Sequence, residues 1–416
     1  MNWLFVHKNF PSQYVHVARY LAAAGHRVVF ITQQRGLALR GVEKIEYRAP
    51  PLGGRPHPYL RYLTRAVANG QAVAAIGERL KKEGFTPDLV AGHPGWGEIL
   101  FLKEVWPRVP LLGYFEFFYR AVGSDLDFDP EFPPEADEPM RVRAMNAVNL
   151  LALDAVDWGQ TPTRYQHSIY PAIYRPRITV VHDGVDTGRL RPDNGACVTL
   201  SDGTVLSRSD EIVTYCARGL EPYRGFHVFM RSLPLVQRQR PNAHIVLIGG
   251  DRASYGRDPQ GHGSYREQLL TELGAELDLP RVHFLGNVPY AHYRRILQVS
   301  SVHVYLTYPW VLSWSFIEAM AMGCLVIGSN TPPVEEVITD GKNGFLVDFF
   351  DRDALADRIC DAIHKRDRLT AIRDAARDTA LMRFDLKTVC LPAYLRLLAR
   401  LTGARRLLRP TALARI

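Results

Sequence analysis

Val311-Leu-Ser-Trp-Ser-Phe-Ile-Glu318-Ala-Met-Ala-Met-Gly323-Cys-Leu-Val-Ile-Gly328 reads as a loop, a helix start, a glutamate one turn in, a glycine stop and a buried strand. A helix start offers unpaired backbone N–H groups and a partial positive charge, which together suit a phosphate. One turn further in, Glu318 stands where its carboxylate can accept from two vicinal hydroxyls such as those of a ribose. The same order of parts also describes an amphipathic helix with a glutamate on its rim in any α/β protein, so the segment alone leaves both readings open.

Outward from that strand, short β-branched runs alternate with helical patterns from end to end, the sign of parallel sheets joined by crossover helices. In the first half the runs fall at residues 3–7, 28–32, 89–93 and 111–116; in the second at 212–217, 244–249, 282–285, 302–306 and 325–328. Glycines or polar residues stop many of them, as expected where ligands gather at the carboxyl ends of a doubly wound sheet. Between the halves lie Val180-Val-His-Asp183-Gly184-Val-Asp186 and a polar, turn-rich stretch to Asp210, within which residues 198–206 read as a hairpin about an Asp202-Gly203 turn. The expected fold class is therefore α/β, with two Rossmann-like doubly wound domains facing across a cleft, at residues 1–183 and 184–385. A C-terminal helix from residue 386 is expected to pack back on the first domain and to end in a basic tail.

A chain of 416 residues is too long for one compact core, and 47% apolar with 23% charged residues is an ordinary soluble composition. No apolar run approaches the ~18 residues that span a bilayer, and the start reads as a first strand, so a cytoplasmic protein is expected. The five cysteines, Cys197, Cys216, Cys324, Cys360 and Cys390, form no C-x-x-C pair, which argues against a metal knuckle or disulfide framework. Six of the eight net positive charges sit after residue 390, on Arg396, Arg400, Arg405, Arg406, Arg409 and Arg415, with no acid among them. The nearly neutral body excludes a nucleic-acid binder. The tail itself has two readings, a packed helix with a frayed basic end or, for 404–416, peripheral contact with the inner face of an anionic membrane.

Tyr215-Cys-Ala-Arg218-Gly-Leu-Glu-Pro-Tyr-Arg224-Gly225-Phe ends a strand with a loop that holds two arginines. Fixed cations suit a developing negative charge such as that of a departing diphosphate. With Glu318 and its helix, this loop resembles the donor site of the retaining sugar-nucleotide glycosyltransferases of family 4 (glycosyl transferases group 1), in which an Arg is followed by a Lys-Gly. The likeness extends through Val180–Asp186, Ile248-Gly249-Gly250-Asp251, Phe284-Leu-Gly286-Asn-Val-Pro289, Asn330-Thr-Pro-Pro-Val-Glu335-Glu336 and Asp340-Gly-Lys-Asn-Gly344-Phe-Leu-Val347, in register over most of residues 180–350. It implies a GT-B architecture and an NDP-sugar donor, such as a UDP-, GDP- or ADP-sugar, held by the second domain. It also implies retention of configuration, no catalytic metal and no bound cofactor. The acceptor, a glycan, a lipid-linked intermediate or a small molecule, belongs with the first domain.

On that resemblance the donor-binding candidates are Glu318, Ser313, Trp314, Ser315, Trp310 and Gly250, and the catalytic ones Arg218, Arg224, His93 and Glu116. The family pattern is a Glu, seven residues and a second Glu, yet Trp310 stands eight before Glu318, so the carboxylate expected at the donor sugar is absent. Trp310 is expected to wall a sugar that lacks a hydroxyl there, or else other groups read the sugar. Pro332-Pro333 replaces a glycine pair and removes backbone donors. In the first half, Asn9, Ser12 and Gln13 are acceptor-binding candidates, with a capped helix start at Pro11-Ser12 as the other reading. His93 follows a strand and suits hydroxyl recognition or proton transfer; a satisfied structural histidine is the alternative. Glu116, a charge in an aromatic run, needs a partner or a role. The triplets of Asp125, Asp127 and Asp129 mimic a metal-holding motif but fall in a Pro-rich loop, and are expected to form an acidic loop by the acceptor. A phosphorylase or epimerase on nucleotide sugars, and a non-catalytic nucleotide-sugar or glycan-binding protein, are the competing functions.

Overall fold

The computed structural model describes residues 1–259, 261, 263–404 and 407. The chain divides into two compact units, Met1–Gly184 together with the chain from Leu386 onward, and Val185–Asp385.

The first unit is built on seven parallel strands, β1 (Asn2–Val6), β2 (Arg27–Thr32), β3 (Val42–Glu46), β4 (Leu89–Gly92), β5 (Leu111–Tyr114), β6 (Trp158–Thr161) and β7 (Ile178–Val180), in the order β3-β2-β1-β4-β5-β6-β7. Helices α1 (Val15–Ala23), α2 (Arg61–Lys82), α3 (Leu102–Val105), α4 (Glu138–Ala155) and α5 (Arg164–Ile169) connect them. Strands β1, β4 and β5 are buried almost throughout, because helices cover both faces of a parallel sheet, and so they read as unbroken apolar runs. Three strands of this unit escaped the sequence reading. β3 is an edge strand of half-exposed Val-Glu-Lys-Ile-Glu, β6 is Trp-Gly-Gln-Thr with one β-branched residue, and β7 is three residues long.

The second unit opens with an antiparallel pair, β8 (Cys197–Thr199) and β9 (Val205–Ser207), around Asp202-Gly203. Six parallel strands follow: β10 (Ile212–Gly219), β11 (His244–Gly250), β12 (Val282–Phe284), β13 (Val302–Tyr305), β14 (Val326–Ser329) and β15 (Phe345–Val347), ordered β12-β11-β10-β13-β14-β15. Around them lie α6 (Phe226–Gln239), α7 (Tyr265–Leu273), α8 (Tyr290–Val299), α9 (Trp314–Ala321), α10 (Pro332–Glu335), α11 (Arg352–His364) and α12 (Thr370–Phe384). In both sheets the strand order reverses beside the first central strand, β1 or β10, and the carboxyl ends on either side of such a switch point form a natural crevice. These are two Rossmann-like domains in an α/β fold.

After Asp385 the chain returns to the first unit through a π-helical turn at Leu386–Cys390 and ends its described part in α13 (Leu391–Thr402). Leu391, Leu395 and Leu398 form one helical stripe in the same core as Trp3, Phe5 and Tyr20. Each such leucine contributes about 1.5–3 kcal/mol by burial, which holds the helix in place. The Arg400 guanidinium lies 4.0 Å over the Trp158 ring, so this arginine of the basic end is taken up by packing. Arg405, Arg406, Arg409 and Arg415, on which the membrane reading of 404–416 rests, lie outside the described residues. Among the described residues no helix is long and apolar enough to cross a membrane.

Candidate functional site

In the second unit, β10 runs into the loop that carries Arg218 and Arg224. Gly225 closes that loop with a left-handed backbone (φ +65°), and a Cβ there would lie 2.4 Å from Cβ of Leu306, so only glycine allows α6 to start so close to β13. Arg218 is exposed, whereas Arg224 is buried. Its Nη1 donates to Tyr305 Oη (3.2 Å), Thr307 Oγ1 (2.9 Å) and the Val311 carbonyl (2.9 Å), and its guanidinium sits 5.5 Å from the Tyr255 ring centre. Arg224 is thus an anchor between its loop and the segment leading to α9, and Arg218 is the accessible cation of the pair.

The same Tyr305 hydroxyl accepts the Ser313 backbone N–H at 2.7 Å. Ser313 caps α9 by accepting the Ser315 N–H, and the two hydroxyls lie 2.8 Å apart; Trp314 is partly exposed between them. One network therefore links Arg224, Tyr305 and the start of the helix that carries Glu318. The Glu318 carboxylate accepts from Tyr290 Oη (2.8 Å) and Tyr293 Oη (2.7 Å), neighbours on one face of α8. Burial raises its pKa, and both phenol bonds oppose that shift. Sequence reasoning missed these two tyrosines; their only signal was the spacing of two phenols on a helical face.

Trp310 is 7% exposed and packs edge-on against Tyr223 (5.5 Å) and Tyr255 (5.4 Å). Where the resemblance puts a first glutamate, the chain has a packed aromatic cluster. Gly250 lies at the end of β11, where its carbonyl accepts the Leu220 N–H at 2.9 Å. Glu221, also missed, is fully buried; its Oε2 accepts the backbone N–H groups of Ser254 and Tyr255, both at 2.7 Å.

The first unit gathers a second cluster at the carboxyl ends of β1, β4 and β5. The His93 ring stacks on Trp96 (4.5 Å) and Tyr114 (5.7 Å) and meets His7 edge-on (5.2 Å). His93 Nδ1 accepts the Gly95 N–H at 2.9 Å, so the neutral ring carries its proton on Nε2, which lies 3.4 Å from Glu116 Oε2. His7 lies beside them, its pKa lowered by burial and by His93. The structure thus brings His93 and Glu116 together.

Ser12 does not cap α1; its φ is +48° and its Oγ donates to Gln13 Oε1 at 2.6 Å. Asn9 donates its backbone N–H to His7 Nδ1 at 2.8 Å. Beside them is a pocket of about 320 Å³, its open mouth included, lined by Gln13, Tyr14, Gln160, Asp183 and Tyr394 among others. Gln13 Nε2, Tyr14 Oη, Gln160 Oε1 and Tyr394 Oη are buried there without a hydrogen-bond partner among the described residues. Tyr394 comes from α13, which made the pocket invisible to local sequence patterns. The acidic triplets are used internally: Asp127 accepts from Gly123 and Ser124 N–H, and Asp129 from Glu131 N–H.

Comparison with known proteins matches residues 24–190 to the family described as glycosyl transferase family 4 group, and residues 202–379 to glycosyl transferases group 1. A GDP-mannose-dependent alpha-(1-6)-phosphatidylinositol monomannoside mannosyltransferase of Mycobacterium tuberculosis is 27% identical over 252 residues, 58% of this chain. The match spans 62% of that relative's length. A D-inositol 3-phosphate glycosyltransferase of Streptomyces avermitilis is 26% identical over 391 residues, covering 88% of this chain and 75% of the relative. Among solved structures, sucrose-phosphate synthase from Thermosynechococcus elongatus superposes with a TM-score of 0.69 at 18% identity, covering 97% of this chain and 100% of the other. Anabaena HepE in complex with UDP-glucose gives 0.67 at 17% identity, with 96% and 100% covered. At these identities the two structures speak for the fold alone.

Proposed function

The chain belongs to the family-4 GT-B glycosyltransferases, and from that footing we propose that it moves a sugar from a nucleoside diphosphate donor to an acceptor hydroxyl with retention of configuration. The observation that carries this is the position of Glu318, one turn inside a capped helix whose start is tied through Tyr305 to the arginine loop. In this reading the α9 start and Arg218 take the diphosphate, Arg224 holds the loop in shape, and Glu318 takes the ribose hydroxyls. As the glycosidic bond breaks, negative charge grows on the departing phosphate oxygen, and Arg218 with the backbone at Ser313–Ser315 stabilises it. That oxygen then accepts the acceptor's proton on the same face, so no protein nucleophile is required. His93 Nε2 and Glu116 serve the acceptor side or the sugar, and Asn9, Ser12 and Gln13 the acceptor. The mycobacterial relative favours a GDP-linked donor, and both relatives favour an acceptor with a cyclitol hydroxyl, lipid-linked or free.

Calorimetry with UDP-glucose and GDP-mannose, followed by mass-detected transfer to inositol-containing acceptors, tests the proposal. Binding of at least one donor that is lost in Glu318→Ala is expected; binding unaffected by that change would overturn the site assignment. The packed Trp310 supports one competing reading, a nucleotide-sugar-binding protein without transfer. Slow donor hydrolysis without acceptor would exclude it.

A further inference from the structure

Glu221 sits between the two arginines of the donor loop, and its burial is the least expected feature of that loop. A carboxyl group with no exposed surface must be neutralised or fully hydrogen-bonded. Only one of its oxygens is: Oε2 takes the N–H groups of Ser254 and Tyr255, while Oε1 is buried and has no partner among the described residues. A bare buried carboxylate oxygen is where a proton is most stable. Burial raises the pKa to about 7, against the opposing backbone N–H bonds and the nearby Arg224 and Arg218. The groups facing it are Arg218 and Arg224 on its own loop and Tyr215 on β10, with the backbone of Ser254 and Tyr255 after β11.

The bond pair has a structural consequence. It stitches the segment after β11 to the arginine loop, and that segment brings the Arg252 carbonyl within 2.5 Å of where a Cβ on Gly219 would stand. It also brings Tyr255 onto Arg224 and Trp310.

We propose that Glu221 is a proton-coupled positioning residue of the donor site: Oε2 clamps Ser254 and Tyr255 in either protonation state, and a proton on Oε1 removes a negative charge from beside Arg218 and Arg224 when the donor diphosphate binds. This rests on the donor-site reading above. Two anionic groups drawing on the same Arg218 cannot both keep their charge at low cost, and the group that can neutralise is the carboxyl, since a nucleotide sugar's diphosphate has no proton to take up near neutrality. Linkage gives the sign. The folded pKa lies above the unfolded one, so the stability Glu221 contributes is present in acid and lost as pH rises through about 7. Donor binding follows the same direction.

The test is calorimetry of UDP-glucose and GDP-mannose in two buffers of different ionisation enthalpy, on the full chain and on Glu221→Gln and Glu221→Leu. The wild type should take up roughly half a proton on binding near pH 7 and lose about fivefold in affinity between about pH 6 and about pH 8.5. Glu221→Gln keeps an acceptor for the two N–H groups but no titration, so it should bind with no proton uptake and no pH slope. Glu221→Leu should stay folded by circular dichroism and bind at least about tenfold more weakly at every pH, because the clamp is gone. A proton count and slope in Glu221→Gln equal to the wild type's would overturn the coupling, and a folded Glu221→Leu with wild-type affinity would overturn the clamp. Binding of neither sugar nucleotide by the wild type would instead overturn the donor-site reading itself, and this inference with it.

Discussion

Tyr293 donates its hydroxyl hydrogen to Glu318 Oε2 at 2.7 Å, while Tyr290 serves the other carboxylate oxygen at 2.8 Å. A carboxylate held at both oxygens has one orientation before any ligand arrives, and the two phenol bonds oppose the upward push that burial gives its pKa. Tyr293 is buried and Tyr290 is exposed, so the first fixes the carboxylate and the second is the bond a ribose hydroxyl can displace. Tyr293→Phe should therefore weaken donor binding by about tenfold, one charged hydrogen bond's worth, and Tyr290→Phe should change it little. Fluorescence or calorimetric titration with a nucleotide sugar distinguishes the two; equal effects would refute the division of roles.

The arginine pair should split between binding, chemistry and folding. Arg218 is exposed and meets the leaving group in the proposed reaction, so Arg218→Ala should lower kcat by roughly 10²–10³ with an unchanged melting temperature. Arg224 spans three acceptors from one nitrogen, so Arg224→Lys should shorten the reach and destabilise the unit by about 2 kcal/mol. Thermal denaturation alongside turnover checks both. A stable, fully active Arg224→Lys would show that the anchor is dispensable.

Trp310 bears on the missing glutamate. Trp310→Glu puts back the family's carboxylate but sets it against Tyr223 and Tyr255 in a site that is 7% exposed. An unpaired charge there costs several kcal/mol, so the variant should lose about 2 kcal/mol or more of stability and gain no activity. Trp310→Phe should keep the fold. Urea unfolding and donor turnover of both variants decide the matter, and a stable, faster Trp310→Glu would mean the pocket still accommodates the ordinary pattern.

What could be read in advance depended on whether the deciding partners were local. Ser313, Glu318 and Gly323 lie on one short helix and its ends, so their order alone announced α9 and the strand behind it. The buried strands announced themselves through β-branched runs, while β6, with a glycine and a glutamine in four residues, did not. The phenols that hold Glu318 come from α8, the N–H groups that fix Glu221 from the segment after β11, and the pocket's Tyr394 from α13. None of those meetings leaves a periodic trace, because each is decided by how separate elements pack. Trp310 was visible as a departure, but its enclosure by Tyr223 and Tyr255 required three loops to come together.

His93 and Glu116 form the pair most exposed to a kinetic test. Glu116 is partly exposed, its side chain at 42%, so Glu116→Gln should leave the melting temperature within about 1 °C. Turnover should drop by at least about tenfold if the carboxylate orients His93 Nε2 or meets the sugar. His93→Ala should drop it further and add a stability cost, since the ring packs on Trp96 and Tyr114. Unchanged turnover in Glu116→Gln would remove both residues from the chemistry and leave His93 as a packing residue.

Acid stability should be governed in part by His303, deep in the second unit. It is fully buried on β13, with Nδ1 2.9 Å from the Thr214 hydroxyl, and burial pushes its pKa down to about 3 from an ordinary 6.5. The folded chain thus binds this proton far less readily than the unfolded chain, so the stability His303 contributes is fully present above about pH 6.5 and is lost as pH falls toward about 3. One pKa unit corresponds to about 1.4 kcal/mol, so a drop of two pH units below the ordinary value should cost roughly 2–3 kcal/mol. His303→Gln keeps a hydrogen-bonding partner for Thr214 but cannot take up the proton. It should start somewhat less stable at neutral pH, because the amide fits the site less well, and then lose less than the wild type on acidification. Urea unfolding at neutral pH and at about pH 4.5 measures this directly. Parallel losses in the two proteins would assign the acid limb to other groups.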